Sequence, residues 1–362
     1  MSLSMRRQLQ LRRRVSDTTL RDLLCKLQPE GLRAVLHRAV KAARRRKALR
    51  PEGLPWGAVS MDGKGQALPA WDFRYVQRHV NDKTSTAYGL LRTVTSCLIS
   101  APGAPCIDVH PVMAWTNEMG TFQKAFGELV RHYGKLFKVV LYDAGAAGEE
   151  NARAVLKAGK HYVFHLKDKR RHMFQTARWL CGRDAAPAAR TEDVLSNAKV
   201  VVRELYLAAV RDSYKPNFCW RHTSTVLRVR SETYEHGVLT AREDRYFNTS
   251  LPCDALTPDQ WLLLIRRHWR VENNCHWTFD AIFEEDDHPW IEMEPTGALA
   301  VLILRRVAYT LLTLFRSVTL RGWESRLMPW KNLLRWVYQT ALLLEDEHLA
   351  GLRPRLDAYA GS

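Results

Sequence analysis

Two short apolar runs, Gly57 to Met61 and Lys138 to Tyr142, each halt at an aspartate closely followed by glycine: Asp62-Gly63 and Asp143-Ala144-Gly145. Runs of this length and apolarity suit strands covered on both faces, as in a sheet flanked by helices. A carboxylate inside such a strand would be buried at a cost on the order of several kcal/mol, whereas one at the strand tip can meet solvent and a cation. The pair points to an open α/β sheet with acidic chemistry at its strand ends.

The rest of the chain fits that frame. Tyr88 to Ile99 and Pro105 to Pro111, rich in β-branched and apolar residues, extend the sheet, and His161 to Leu166 alternates like a further strand. Thr121 to Tyr133 and Glu149 to Ala158 read as intervening helices. Val200 to Val210, Thr225 to Arg230 and Arg245 to Ser250 read as antiparallel strands, a β insertion, before helices return at Pro258 to about Phe283, Thr296 to Arg316 and Pro329 to Leu344. Upstream, Ser16 offers an N-cap to a helix with Leu20, Leu23, Leu24 and Leu27 on one face, and Pro29-Glu30-Gly31 breaks it. Leu32, Val35, Leu36 and Val40 mark a second helix that ends in Arg44 to Lys47, and Pro51, Gly53 and Pro55 form a linker.

Charge is unevenly spread. The chain of 362 residues carries a formal net charge of +17. Residues 1–50 contain fifteen Lys and Arg, including Arg12, Arg13, Arg14, Arg44, Arg45 and Arg46, against Asp17, Asp22 and Glu30, so fifteen minus three gives +12 of that total. Residues 271–300 contain no base and eight acids. A basic arm and an acidic patch suit a protein that grips a polyanion in one place and hard cations in another. Seven scattered cysteines without a CxxC exclude a disulfide framework and a four-cysteine zinc site. Ala298 to Phe315 is broken by Arg305 and Arg306, so no membrane span is expected. A cytoplasmic, nucleoid-associated protein is the expectation.

Two strand-tip aspartates joined by a carboxylate from a packed helix make an oxygen-rich site for two hard cations, which clamp the attacking and leaving oxygens of a phosphodiester displacement. Glu272, in Arg266-Arg267-His268-Trp269-Arg270-Val271-Glu272-Asn273, is the helical candidate. By spacing alone, the aspartates serve equally well as strand caps, and Glu272 as the partner of a nearby arginine. His268, Glu272 and His276 also fall on one helical face and offer a zinc reading, with no third His or Cys ligand placed by spacing.

The strings MDGK at 61–64, TNE at 116–118, LYDAG at 141–145, RYFNTSL at 245–251 and RRHWRVENNCHWTFD at 266–280 resemble a bacterial insertion-sequence family of DDE transposases. The RHWxxEN…HW string is the most specific, and the likeness runs from about Ser16 to about residue 315. It implies an RNase H-like mixed α/β sheet flanked by helices, with an all-β insertion and a small helical N-terminal region. It makes Asp62, Asp143 and Glu272 the metal-binding catalytic triad for two Mg²⁺ (or Mn²⁺) ions. The implied partner is double-stranded DNA, at element ends and target, bound by a homodimer, with no membrane partner. Where the wider group carries Tyr, Arg and Lys around the Glu, this chain has Ile265, His268 and Phe279, so it is similar to the His-Trp subgroup.

With no Lys between Lys215 and Lys331, phosphate contacts near the triad are expected from Arg266, Arg267 and Arg270, with Lys64, Lys167 and Lys169 beside them. His268, Trp269, Asn273, His276 and Trp277 are expected to support the site, the tryptophans by stacking or by packing. The expected organisation is a basic helical DNA-binding region (1–50), an RNase H-like core in two parts (56–170 and 251–320), a β insertion (171–250) and a C-terminal helical tail (321–362). Two other readings share these features: a DNA-binding remnant without catalysis, and a metal-dependent nuclease that cuts without strand transfer.

Overall fold

The computed structural model describes residues 15–143, 145, 147–167, 172–182, 186–195, 198–211, 220–320 and 327–343. It opens with helices α1 (Asp17–Lys26) and α2 (Pro29–Arg45). Ser16 caps α1, its Oγ accepting from the Thr19 amide at 3.1 Å, and Pro29 breaks the chain by starting the next helix at its first turn, where a missing N–H costs nothing.

A single mixed sheet follows, flanked by helices, as the α/β reading requires. Its strands are β1 (Ala58–Leu68), β2 (Val76–Val80), β3 (Ala87–Cys97), β4 (Cys106–Pro111), β5 (Val139–Tyr142), β6 (His161–Leu166), β7 (Ala189–Val194), β8 (Lys199–Ala209), β9 (Thr225–Glu235) and β10 (Val238–Thr249). β1 pairs antiparallel with β3, whose far edge takes β2 and then β4. On its other side β1 runs parallel to β5, and β5 parallel to β6. The crossovers are α3 (Glu118–Tyr133), capped by Asn117, and α4 (Glu149–Lys157). Antiparallel strands on one side of β1 and parallel ones on the other make the sheet mixed.

The strands read as an insertion do not make a sheet of their own. β10 pairs antiparallel with β6, so β10, β9, β8 and β7 continue the core sheet outward. Strand β1 also differs from expectation. It does not end at Asp62 but runs six residues further, because β3 still pairs with it there, from Asp62↔Thr95 to Leu68↔Gly89. β2, β7 and helix α5 (His172–Leu180) went unanticipated, their polar alternation or short length giving weak periodicity.

The last third is helical. α6 (Pro258–His268) begins with a capping box between Thr257 and Gln260, a π-helical segment spans Val271–His276, and α7 (Trp277–Ala281) follows. α8 (Pro295–Leu314) runs into a second π segment, Phe315–Thr319, and α9 is Trp330–Leu343. Pro295–Thr319 is long and apolar enough to cross a membrane, but it is used internally: α1 and α2 pack on α8, and Leu299, Ala300 and Ile303 are fully buried. Gly297 admits this packing, since a Cβ there would lie 2.7 Å from Cys25 Sγ. The N-terminal helices thus belong to the same hydrophobic core as the sheet, through Leu24, Leu36 and Val40.

Candidate active site

Met61 and Tyr142 are the last partners in the parallel β1–β5 ladder, so the next residue of each strand is an aspartate. β5 ends there while β1 continues, and the sheet opens between Asp62 and Asp143. Each acid has a histidine: His276 Nδ1 lies 3.3 Å from Asp62 Oδ2, and His165 Nδ1 lies 3.0 Å from Asp143 Oδ1. Lys167 Nζ donates to Asp143 Oδ2 at 2.6 Å.

Glu272 comes from the π segment. The extra residue per turn of a π-helix shifts the side chains that follow relative to α-helical spacing, and such segments recur at functional sites. Here it leaves Glu272 and Asn273 exposed while His276 turns inward to Asp62. Burial, then repulsion from Asp62 and Asp143, raises the Glu272 carboxyl above its usual range. The negative field that Asp62 and Asp143 place on Glu272 suits cations, and the donors are all oxygen, as Mg²⁺ or Mn²⁺ prefer. Among the described residues, no group of three or more His, Cys, Asp or Glu is gathered as a closed metal site.

The competing zinc grouping is not formed. His268 is buried, with Nδ1 3.0 Å from Ser60 Oγ, and burial lowers its pKa to about 4, so it is a neutral imidazole built into the sheet. The π segment breaks the i, i+4, i+8 face on which that grouping relied.

Other expected acids are spent elsewhere. Asp280 and Asp286 both hold Lys64, at 2.6 and 3.3 Å, so Lys64 faces carboxylates and not an open surface. Glu285 is fully buried against Arg306, which also lies over the Phe279 ring at 3.9 Å. The acidic run at 280–287, free of bases in sequence, therefore has bases beside it in space.

Two of the arginines expected at DNA are turned inward. Arg267 is 8% exposed and donates to the carbonyls of Glu52 and Ser100, and Arg270 donates to that of Ile99 at 3.3 Å. Both satisfy loop carbonyls away from the sheet's open end, a structural task. Arg266 is held by Asp193 at 2.6 Å on the rim of a cavity of ≈530 Å³ between the π segment and the outer strands. Glu272, Asn273 and Trp269 share that rim with Arg203 and Arg245. Trp269 packs on Phe247 and His268 under Arg245, whereas Trp277 is 51% exposed. Lys167 is exposed beside Asp143, and Arg44, Arg45 and Arg46 are exposed at the end of α2. Arg12, Arg13, Arg14 and Lys169 lie outside the described residues.

One acid went unassigned from sequence. Glu118, in the TNE string, packs on Gly63, where a Cβ would lie 2.5 Å from Glu118 Cγ. It reaches Arg92 at 3.7 Å, and together with Asp62 and Asp143 it adds to the upward shift that burial imposes on the Tyr142 hydroxyl. The signal was the glycine directly after Asp62, which a neighbouring side chain requires.

No known protein family and no curated protein matches the chain. Among solved structures it is similar to the piggyBac transposase in a synaptic complex with hairpin DNA, at 12% identity and a TM-score of 0.39, covering 83% of this chain and 54% of that one. The chain thus spans about half the length of that transposase.

Proposed function

We propose that the chain is a DNA transposase of RNase H-like fold whose carboxylates Asp62, Asp143 and Glu272 hold divalent Mg²⁺ or Mn²⁺. The observation that carries this reading is the β1–β5 register, which sets Asp62 beside Asp143 where the sheet parts and within the field of Glu272. The likeness of the motif strings to insertion-sequence transposases supplies the reaction class.

When bound, the cations supply Lewis-acid polarisation of a phosphodiester and a nucleophilic oxygen from water or a DNA 3′-hydroxyl. The chain's own residues do the placing. His276 and His165 orient the two aspartates, and Lys167 balances the charge of Asp143 in the absence of a cation. The cavity beside Glu272 is bordered by Asn273 and by Arg203 and Arg245, which would exchange their partners Asp193 and Glu243 for phosphates of a DNA strand. A homodimer on paired DNA ends follows from the same reading.

The test is incubation with DNA carrying the element's ends and Mg²⁺. Cleavage followed by joining to a target supports the transposase. Cleavage alone makes it a nuclease of the same fold, and binding without cleavage makes it a remnant.

A further inference from the structure

The opposite end of the sheet holds a second charged feature. Gly57 and Lys138 mark the start of β1 and β5, five residues and so roughly 17 Å from the aspartates at the other end. There the structure has a cavity of ≈680 Å³ on which six bases converge, Arg44, Lys47 and Arg50 from the end of α2 and its linker, and Lys135, Lys138 and Lys160 from the loop after α3 and the start of β6. No acid lines it. Lys160 is committed, donating to the carbonyls of Gly134 and Phe137 at the C-terminus of α3. The other five form no ion pair among the described residues and are exposed.

Lys47 adds a separate observation. The amide of Lys47 bonds to Arg44 O at 2.9 Å and that of Ala48 to Ala43 O at 3.0 Å, the paired closing bonds of a Schellman helix end. The residue at that position must be left-handed, and Lys47 has φ 60°. Glycine is the usual occupant, so a lysine accepts backbone strain there and gains an ammonium group projected at the cavity.

We propose that this cavity grips the phosphate backbone of duplex DNA, at a stretch remote from the one held at the carboxylates. The chemistry is phosphate recognition by uncompensated cations, and their spread over two separate segments suits successive phosphates of a polymer better than one small anion. The choice of DNA as the polyanion rests on the transposase reading, but the contact itself does not depend on cleavage.

The experiment is a salt titration of binding to a random 30-base-pair duplex without divalent cation, comparing wild type, Lys47→Gly with Lys135→Ala, and a control, Lys83→Ala with Arg153→Ala. Two lost phosphate contacts should lower the log–log salt slope by about 1.8, and affinity near 0.1 M salt by roughly tenfold or more, with the control near wild type. Lys47→Gly alone should raise the melting temperature slightly while weakening binding, a pairing that general misfolding does not produce. An unchanged slope in the double variant, or an equal drop in the control, overturns the proposal. So does a cavity that binds inorganic pyrophosphate in a Lys47-dependent way while duplex affinity ignores the substitutions, which would make it a small-anion site. A wild type that shows this slope difference but never cleaves DNA with Mg²⁺ would count against the transposase reading and leave the contact standing.

Discussion

His276 Nδ1 lies 3.3 Å from Asp62 Oδ2, although four residues before His276 the same π segment turns Glu272 outward. One short segment thus fixes one acid of the site and presents another.

The acids should therefore be separable by two readouts. Asp62→Asn, Asp143→Asn and Glu272→Gln should each reduce Mg²⁺-dependent cleavage by about three orders of magnitude or more, with double variants no worse than singles, while duplex binding persists. Glu272→Gln should also raise the melting temperature of the cation-free protein, since its carboxylate is destabilised by burial and then by Asp62 and Asp143. The gain should stay under about 1 kcal/mol because the group is half exposed to solvent. Adding Mg²⁺ should stabilise wild type and not this variant. Glu118→Gln, one step further from the strand ends, should lower cleavage by about tenfold.

The pH dependence of stability should carry the signature of His268. Its folded pKa, about 4, lies below the ordinary value of 6.5, so the native state resists its protonation. The contribution is fully present above pH 6.5 and is lost as pH falls toward 4, amounting to about 3 kcal/mol as an upper figure. Denaturant melts of His268→Gln between pH 7 and 4 should show a shallower decline than wild type. An equal decline would mean that His268 is accessible to water.

Removing the N-terminal region is expected to unfold the sheet, not merely to weaken DNA binding. Arg33 of α2 donates to Asp108 of β4 at 3.0 and 3.1 Å and to Glu128 of α3 at 2.8 Å, and His37 lies 3.0 Å from the same aspartate. Asp108 is 2% exposed, and these partners hold its carboxyl below the usual range. Asp108→Ala should cost about 3–5 kcal/mol, because it strands a buried guanidinium. Equilibrium unfolding in urea would measure it, and a loss below 1 kcal/mol would show that water replaces the pair.

Glu285 and Arg306 allow a test of which acids are structural. Glu285→Ala should cost about 3–5 kcal/mol, whereas exchanging both partners for apolar residues, Glu285→Leu with Arg306→Met, should recover most of that loss. Cleavage by the double variant should stay close to wild type if it folds, which would set Glu285 apart from Glu272.

Much of the sheet was readable in the chain because its central strands are continuous apolar runs, and helix α1 announces itself by its Ser16 cap, whereas α3 begins three residues before the expected Thr121, its Asn117 cap having gone unweighed. What was not readable depends on partners distant in sequence. β1 goes on past Asp62 only because β3 is there to pair with it, and no local signal at Gly63-Lys64-Gly65 says so. The arginines of Arg266-Arg267-His268-Trp269-Arg270 look alike in sequence, yet Arg267 and Arg270 meet carbonyls from residues 52 and 99–100, which only the fold brings near. The π segment hid the site's geometry most, since α-helical counting puts His268, Glu272 and His276 on one face.

The pairing of β10 with β6 sets where a chain of this kind is free to grow. Phe247 sits opposite His165, the residue that holds Asp143, so the root of the β9–β10 hairpin is stitched to Asp143 through one rung of the sheet. Adding or deleting a residue near that root would flip Phe247 and its β10 neighbours to the wrong face, away from the rung they share with His165. At the far turn, His236 and Gly237 both have positive φ, the compact two-residue reversal of a long hairpin, and the flanking residues are exposed. Length is cheap there and forbidden at the root, so divergence among chains sharing this sheet should accumulate at the hairpin's tip, leaving the distance from its base to Asp143 unchanged.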